Sequence, residues 1–395
     1  MLQRERGGRS LGLSLPAEPR VLIVGAGVIG LTTALCLKRE GASVTVLADR
    51  FAPNLTSVVA GALWEWPPAV CGYHQNQDSL ARSKHWCIES YQVFRQLSAD
   101  PGTGVFLRPS VFYFDHPVDE NARDREKMNE LRDHVLGFHH DPALISEYAI
   151  NPALGLIDAY CHLAPMVDTD RYLGWLRNRL DQSGCTFIRR RLEGDLRESE
   201  DDLKDEFGAD AIVNCTGLGA RELGDDSVYP LRGALVRLKN DGKYLARLES
   251  AHCISHSESS QTQDIVFIVP RGRDLLVLGG LVEPEEWGMD IGLDNYEPVR
   301  EMFARCKRFL PALEGAELDT AEPVRVGLRP ARRQNVRLEG EPGSCIIHNY
   351  GHGGSGVTLS WGCAEEVVNR IYNRPLYAAG GFKRQAIHAC LVNIG

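Results

Sequence analysis

Residues 20 to 50 restrict the fold more than any other stretch of this chain. The apolar run Arg20-Val-Leu-Ile-Val24 enters the turn Gly25-Ala-Gly27-Val-Ile-Gly30. An apolar stretch with helical spacing follows, and a second β-rich run ends on Asp49. Together these form a strand, a glycine turn, a helix and an acid-ended strand, which is one βαβ unit. Each glycine has a separate physical role. Gly25 allows a tight turn, Gly27 lets backbone N–H groups approach a pyrophosphate, and Gly30 lets the helix pack close to the strand. Asp49 falls about 20 residues after the turn, where an acid accepts hydrogen bonds from an adenosine ribose. The glycine pattern alone is weak, but its flanking strand, helix and acid make a dinucleotide site the reading of this segment.

The rest of the composition fits a soluble enzyme acting on small molecules. At 395 residues the chain can form two domains or one large interleaved one. Its 44 basic and 53 acidic residues give a net charge of -9 without long runs, which opposes a nucleic-acid or anionic-membrane role. The 11 cysteines, among them Cys215, show no C-x-x-C spacing and read as reduced, mostly buried thiols of a cytoplasmic protein. No apolar stretch reaches the roughly 20 residues needed to span a bilayer. Met1 to Pro19 reads as a flexible tail, and the last residues, Val-Asn-Ile-Gly395, lack the peroxisomal Ser-Lys-Leu address.

Further along, small and hydroxyl side chains gather between Thr56 and Trp64. Apolar spacing predicts helices over Ser79–Leu97 and Thr169–Gly184, the latter with Tyr172, Leu173, Trp175 and Leu176 inward, and alternation predicts a strand over Val105–Phe114. Asn121–Phe138 reads as a charged surface helix. The chain returns to the nucleotide fold at the apolar strand Ala209 to Asn214, which runs straight into Cys215-Thr216-Gly217-Leu218-Gly219. Leu231–Leu238, Asp264–Val269 and Leu275–Leu281 read as β-rich and Tyr296–Leu310 as a helix. Ser344–Tyr350 is a strand leading through Gly351-His352-Gly353-Gly354-Ser355-Gly356-Val357-Thr358 into the helix Leu359–Tyr372. Three small-residue turns so far apart suggest one extended cofactor touched along its length.

Set together, these segments resemble flavoproteins of the D-amino-acid oxidase family. The matching residues are Val24 to Leu31, Ala48-Asp49-Arg50-Phe51, Val213 to Gly217, Leu231-Arg232-Gly233, Gly327-Leu328-Arg329-Pro330, Asn349 to Gly354, and Trp361 to Ala364, in order from about Arg20 to Tyr372. The resemblance implies an α/β fold in which a Rossmann-like FAD-binding domain is interleaved with a mixed β-sheet substrate-binding domain. The expected division is 20–66, 155–225 and 322–375 for the FAD-binding domain and 67–154 and 226–321 for the substrate-binding domain, with tails at 1–19 and 376–395.

The resemblance also implies noncovalent FAD. Gly25, Gly27, Val28, Ile29 and Gly30 would cradle the pyrophosphate, with Asp49 and Arg50 at the adenosine half. Thr56, Ser57, Ala60, Gly61 and Leu63 would follow the linker and flavin ring. Cys215, Thr216 and Gly217 are included in the cofactor surface, although Cys215 by itself reads as core. Gly353, Gly354, Ser355, Gly356 and Thr358 would aim N–H groups and a helix dipole at the flavin edge that gains negative charge on reduction.

Arg329 is implied as the clamp for a substrate carboxylate, through two parallel hydrogen bonds that orient the α-carbon. Two tyrosines that relatives place in the pocket correspond here to Gln263 and Phe267, and Ser355 stands where some relatives carry a tyrosine, so a pocket of altered polarity is expected. The implied activity is oxidation of a D-amino acid with molecular oxygen, giving hydrogen peroxide and an imino acid that hydrolyses to the keto acid. Glycine, a secondary amine or a modified amino acid is the alternative substrate class. The expected partners are thus an amino acid, oxygen and a second copy in a possible homodimer.

Several residues receive plainer readings. His139 and His140 form a solvated loop without further ligands, so no metal site is expected. His252 and His256 read as exposed side chains near the substrate lid, and His352 as a support for its turn. Arg332 and Arg333 read as solvated, and Trp64 and Trp66 as packing residues.

Overall fold

The computed structural model describes residues 16–67, 74–254 and 265–376, and in these two sheets share the work. The first sheet has six strands in the order Arg337–Gly340, Ile346–Tyr350, Ala211–Asn214, Arg20–Val24, Ser43–Ala48 and Thr186–Arg189. Arg337–Gly340 runs antiparallel to its neighbour and the other pairings are parallel. Arg20–Val24 sits between Ser43–Ala48 and Ala211–Asn214, and its last four residues are buried, as an apolar parallel strand requires.

The second sheet has nine strands. Its path runs Glu283–Pro284, Val228–Lys239, Leu275–Gly279, Val266–Arg271, Ala251–Ile254, Val105–Phe114, Asp158–Val167 and Leu136–His140, with Val324–Arg332 also paired to Val228–Lys239. Asp158–Val167 and Val324–Arg332 therefore belong to this sheet, where boundaries at 155 and 322 put them with the nucleotide-binding segments. Hydrogen-bonded ladders decide this, since Arg329 pairs with Leu231 and Ser110 with His162.

Val28–Arg39 and Gly356–Ile371 pack on the first sheet, and Gln77–Leu97 joins them from the side of the second. Val28–Arg39 packs against Gly356–Ile371, and Gln77–Leu97 crosses the latter at Gly362, where an added Cβ would sit 2.3 Å from the Trp86 backbone. The buried Glu366 carboxylate accepts hydrogen bonds from Trp86 Nε1 at 2.8 Å and from Arg82 at 2.6 Å. Burial without such partners would be costly.

The predicted helices and strands form, with shifted ends. The helix expected over Asn121–Phe138 stops at Arg132, and Leu136–His140 is instead an edge strand paired with Asp158–Val167. Gly137 has φ +64, outside helical values, and Met128 and Leu131 are the helix's buried residues. His140 consequently sits on a strand, with Nε2 2.7 Å from the buried Asp158 carboxylate, rather than in a solvated loop. The strand from Leu275 ends at Gly279, and Gly280 follows with φ +129. Trp64 and Trp66 are packed inside, Trp175 is only partly buried, and the nine described cysteines are all buried.

Two further expectations are corrected. His252 is 1% exposed, hydrogen-bonded through Nδ1 to Tyr113 Oη at 2.9 Å, and burial pushes its pKa down to about 4. Arg332 is not solvated, because its Nε lies 2.9 Å from the Asp225 carboxylate. Arg333 is exposed as expected.

Candidate active site

A cleft of about 900 Å³ runs between the two sheets, a volume suited to an extended ligand. Its floor is the glycine turn of the first βαβ unit. Gly25 has φ +113, and a Cβ there would sit 2.4 Å from Cys215 O; at Gly30 a Cβ would sit 2.0 Å from Gly25 O. Those two glycines are needed for close packing of backbone on backbone. Gly27 differs, because a Cβ there would meet Ser57 Oγ at 3.1 Å and otherwise face the cleft. The Val28 N–H donates to that same Ser57 hydroxyl at 3.0 Å.

Two helices open their N-termini toward the cleft. Val28–Arg39 begins after Gly27 and Gly356–Ile371 after Ser355, neither with a cap from its own N-cap side chain nor an acid in its first turn, although the Val28 N–H is bonded to Ser57. The remaining first-turn N–H groups and the helix dipole favour anionic groups. His352 lines the same cleft at 2% exposure, with Nε2 lacking a hydrogen-bond partner among the described residues, and burial lowers its pKa to about 3. A neutral imidazole with an orphaned nitrogen fits a polar group of a bound ligand. The cradle, helix ends and orphan together fit a dinucleotide cofactor.

Of the residues predicted for the cofactor, Gly25, Gly27, Val28, Ile29, Asp49, Arg50, Thr56, Ser57, Ala60, Gly61, Cys215, Thr216, Gly217, Gly353, Gly354 and Gly356 line the cleft. Gly30, Leu63, Ser355 and Thr358 are not among its lining. Gly30 backs Gly25, Leu63 bridges to Met166, and Ser355 and Thr358 are 4% exposed within their helical turns. Ser355 thus does not supply the altered pocket polarity expected of it. Phe267 packs its ring behind Gly61, 2.6 Å from where a Cβ would be, instead of lining the cleft. Gln263 and His256 lie outside the described residues. Sequence reasoning missed Arg190, Arg191, Trp287 and Met289, which line the cleft from loops with no glycine or helical signature.

Arg329 reaches the cleft from Val324–Arg332. Its Nη1 is 3.2 Å from Leu281 O and 3.4 Å from Arg232 O, and among the described residues no carboxylate pairs with it. Neighbouring Arg232 is different: Nε lies 2.8 Å from Glu283, and Nη2 donates to Tyr296 Oη at 2.9 Å. Burial lowers the Arg329 pKa to about 10, so it remains a cation at neutral pH. A half-buried cation with no carboxylate partner among the described residues is suited to an anionic ligand.

An extended cleft with a glycine cradle, two helix N-termini and an arginine on its wall is the shape of a dinucleotide site. A family model described as FAD dependent oxidoreductase matches residues 20–370. The D-amino-acid oxidase of Rubrobacter xylanophilus is 36% identical over 353 residues, covering 88% of this chain and 94% of that protein. The Streptomyces coelicolor D-amino-acid oxidase is 35% identical, covering 89% and 96%, and human D-aspartate oxidase is 29% identical, covering 89% and 94%.

Among solved structures, Geobacillus kaustophilus glycine oxidase superposes with a TM-score of 0.70 at 17% identity, covering 95% of this chain and 100% of that one. Mycoplasma pneumoniae L-α-glycerophosphate oxidase with FAD bound gives 0.67 at 15% identity, covering 92% and 97%. The chain belongs to the FAD-dependent oxidoreductase family of the D-amino-acid oxidases.

Proposed function

We propose that this FAD-dependent enzyme oxidises a D-α-amino acid to the imino acid and passes the electrons to molecular oxygen, releasing hydrogen peroxide. Arg329 carries this reading: a half-buried guanidinium in the cleft, unpaired with any described carboxylate, is the matching fork for a substrate carboxylate. The D-amino-acid oxidases among the relatives support the stereochemistry.

In this account Gly25, Gly27, Val28 and Ile29 hold the pyrophosphate. Asp49 and Arg50, themselves paired at 3.1 Å, border the adenosine half. The first turn of Gly356–Ile371 supplies N–H groups to the flavin half, where its dipole favours negative charge. FAD supplies acceptance of a hydride and its return to an electron acceptor. Arg329 binds and orients the carboxylate, fixing which hydrogen of the α-carbon faces the cofactor. Trp287 and Met289, each 54% exposed and at the cleft surface, bound the space left for the substrate side chain. A cytoplasmic location accords with the buried thiols.

The test is peroxide release by the purified protein against D-amino acids, their L-enantiomers, glycine and N-methyl amines. Turnover of one or more D-amino acids above the other classes is expected. Peroxide from N-methyl amines or glycine alone would replace this reading with amine or glycine oxidation. Flavin bleaching without peroxide would replace oxygen with another acceptor.

A further inference from the structure

Arg271 has no part in the reading above, yet it reaches the back of the cofactor wall. It ends the strand Val266–Arg271, on the same face as Phe267, and is 3% exposed. Its Nη2 donates to Ala60 O, and its Nη1 donates to Thr169 Oγ1 at 3.0 Å and to Val58 O at 3.3 Å. Thr169 Oγ1 in turn donates to Val58 O at 2.7 Å, and Val167 N–H donates to Ala62 O at 2.9 Å. The carbonyls of alternate residues 58, 60 and 62 are thus all tied to the body of the second sheet and its following helix.

That alternation has a consequence for the other side of the wall. A trans peptide points its C=O and N–H in opposite directions, so holding Ala60 O away from the cleft turns the Gly61 N–H toward it. Ala60 and Gly61 line the cleft, and Gly61 N–H has no acceptor among the described residues. The conformation is not one the segment would choose unaided: Ala62 has φ +55, a left-handed value that costs a non-glycine residue about 1–2 kcal/mol. Val59 wedges against Gly327, and Gly61 is backed by the Phe267 ring. The charged groups facing Arg271 are Asp168 and Asp170, with Arg325 and Arg237 opposing them.

We propose that Arg271, with Thr169, is a positioning residue that orients the Ala60–Gly61 peptide so that its N–H donates to the bound flavin, and thereby tunes the flavin's electron affinity. The proposal rests on FAD occupying the cleft. It assigns Arg271 an effect on the cofactor's electronic properties and not only on the stability of the fold.

The experiment compares Arg271→Met, Arg271→Lys and Thr169→Val with the unaltered protein. FAD affinity is measured on apoprotein, and sulfite affinity and two-electron midpoint potential on the reconstituted holoprotein. Arg271→Met is expected to weaken sulfite binding at least tenfold and to shift the potential negative, a tenfold change in reduction equilibrium being about 30 mV for two electrons. Lysine should restore part of the effect and Thr169→Val should give a smaller change of the same sign. If Arg271→Met does not fold, graded shifts in the other two variants carry the same test. Unchanged sulfite affinity and potential in the variants that bind FAD, even with weaker FAD affinity, overturn the proposal and leave Arg271 as a brace. Failure of the unaltered protein to bind FAD at all would instead overturn the cofactor assignment.

Discussion

The guanidinium of Arg329 occupies the space over Gly233 that any side chain would fill: an added Cβ would lie 2.3 Å from Nη1 and 2.6 Å from Cζ. The contact is with the far end of a flexible side chain, so a larger residue at 233 displaces the arginine more readily than it breaks the fold. Gly233→Ala is therefore expected to keep its thermal midpoint within a few degrees while KM for the substrate rises about tenfold, the cost of losing roughly one charge-assisted hydrogen bond. Steady-state kinetics beside a melting curve make the check. A normal KM would show that Arg329 binds equally well from elsewhere.

Gly27 and Gly30 should respond differently to substitution. A side chain at Gly30 collides with backbone, whereas one at Gly27 projects into the cleft. Gly30→Ala is expected to impair folding, while Gly27→Val should fold and purify without yellow colour. Flavin content per folded protein measures this, and a fully loaded Gly27→Val protein contradicts the pyrophosphate assignment.

Trp287 bounds the cleft from a loop whose Gly288 O is held by Arg232 Nη1 at 2.7 Å. Covering its exposed ring with a substrate side chain is worth about 1–3 kcal/mol. Trp287→Ala is expected to raise KM about tenfold or more for a large apolar D-amino acid and to change little for D-alanine. Equal effects on both substrates would remove Trp287 from side-chain selection.

Asp225 gives a prediction in pH. Burial raises its pKa, but hydrogen bonds from Ser227 and Tyr350 and the Arg332 charge outweigh this and hold it at about 2, below its ordinary 3.8. A depressed carboxylate pKa stabilises the fold fully above the unfolded value, and the contribution is lost as pH falls from about 4 through 2. Its size is on the order of 2 kcal/mol. Asp225→Asn should lower stability at neutral pH and flatten that acidic limb. A limb identical to that of the unaltered protein would locate the acid sensitivity in other groups.

How much of this was legible depended on the range of the interaction. The Gly25, Gly27 and Gly30 turn, the strand at Ala211–Asn214 and the turn at Gly353 and Gly354 are set by local backbone requirements that leave residue-type signatures. The sheet assignment of Asp158–Val167 and Val324–Arg332 rests on pairing with distant strands, which local alternation does not encode. The same limit misplaced His252 and Arg332, whose burial depends on Tyr113 and Asp225, both more than 100 positions away. Arg271 carries no motif at all, since its meaning appears only when Val58 and Ala60 arrive from the far end of the sequence.

The most direct test of the central claim is anaerobic bleaching of the bound flavin by D- and L-amino acids, followed by stopped flow for the unaltered protein, Arg329→Ala and Arg329→Lys. The account predicts rapid bleaching by a D-amino acid alone. It also predicts at least a roughly tenfold to hundredfold loss of reduction efficiency in Arg329→Ala, with partial recovery in Arg329→Lys, whose point charge replaces a planar fork. Equal bleaching rates for the unaltered protein and Arg329→Ala, or bleaching by the L-enantiomer in preference, would contradict it.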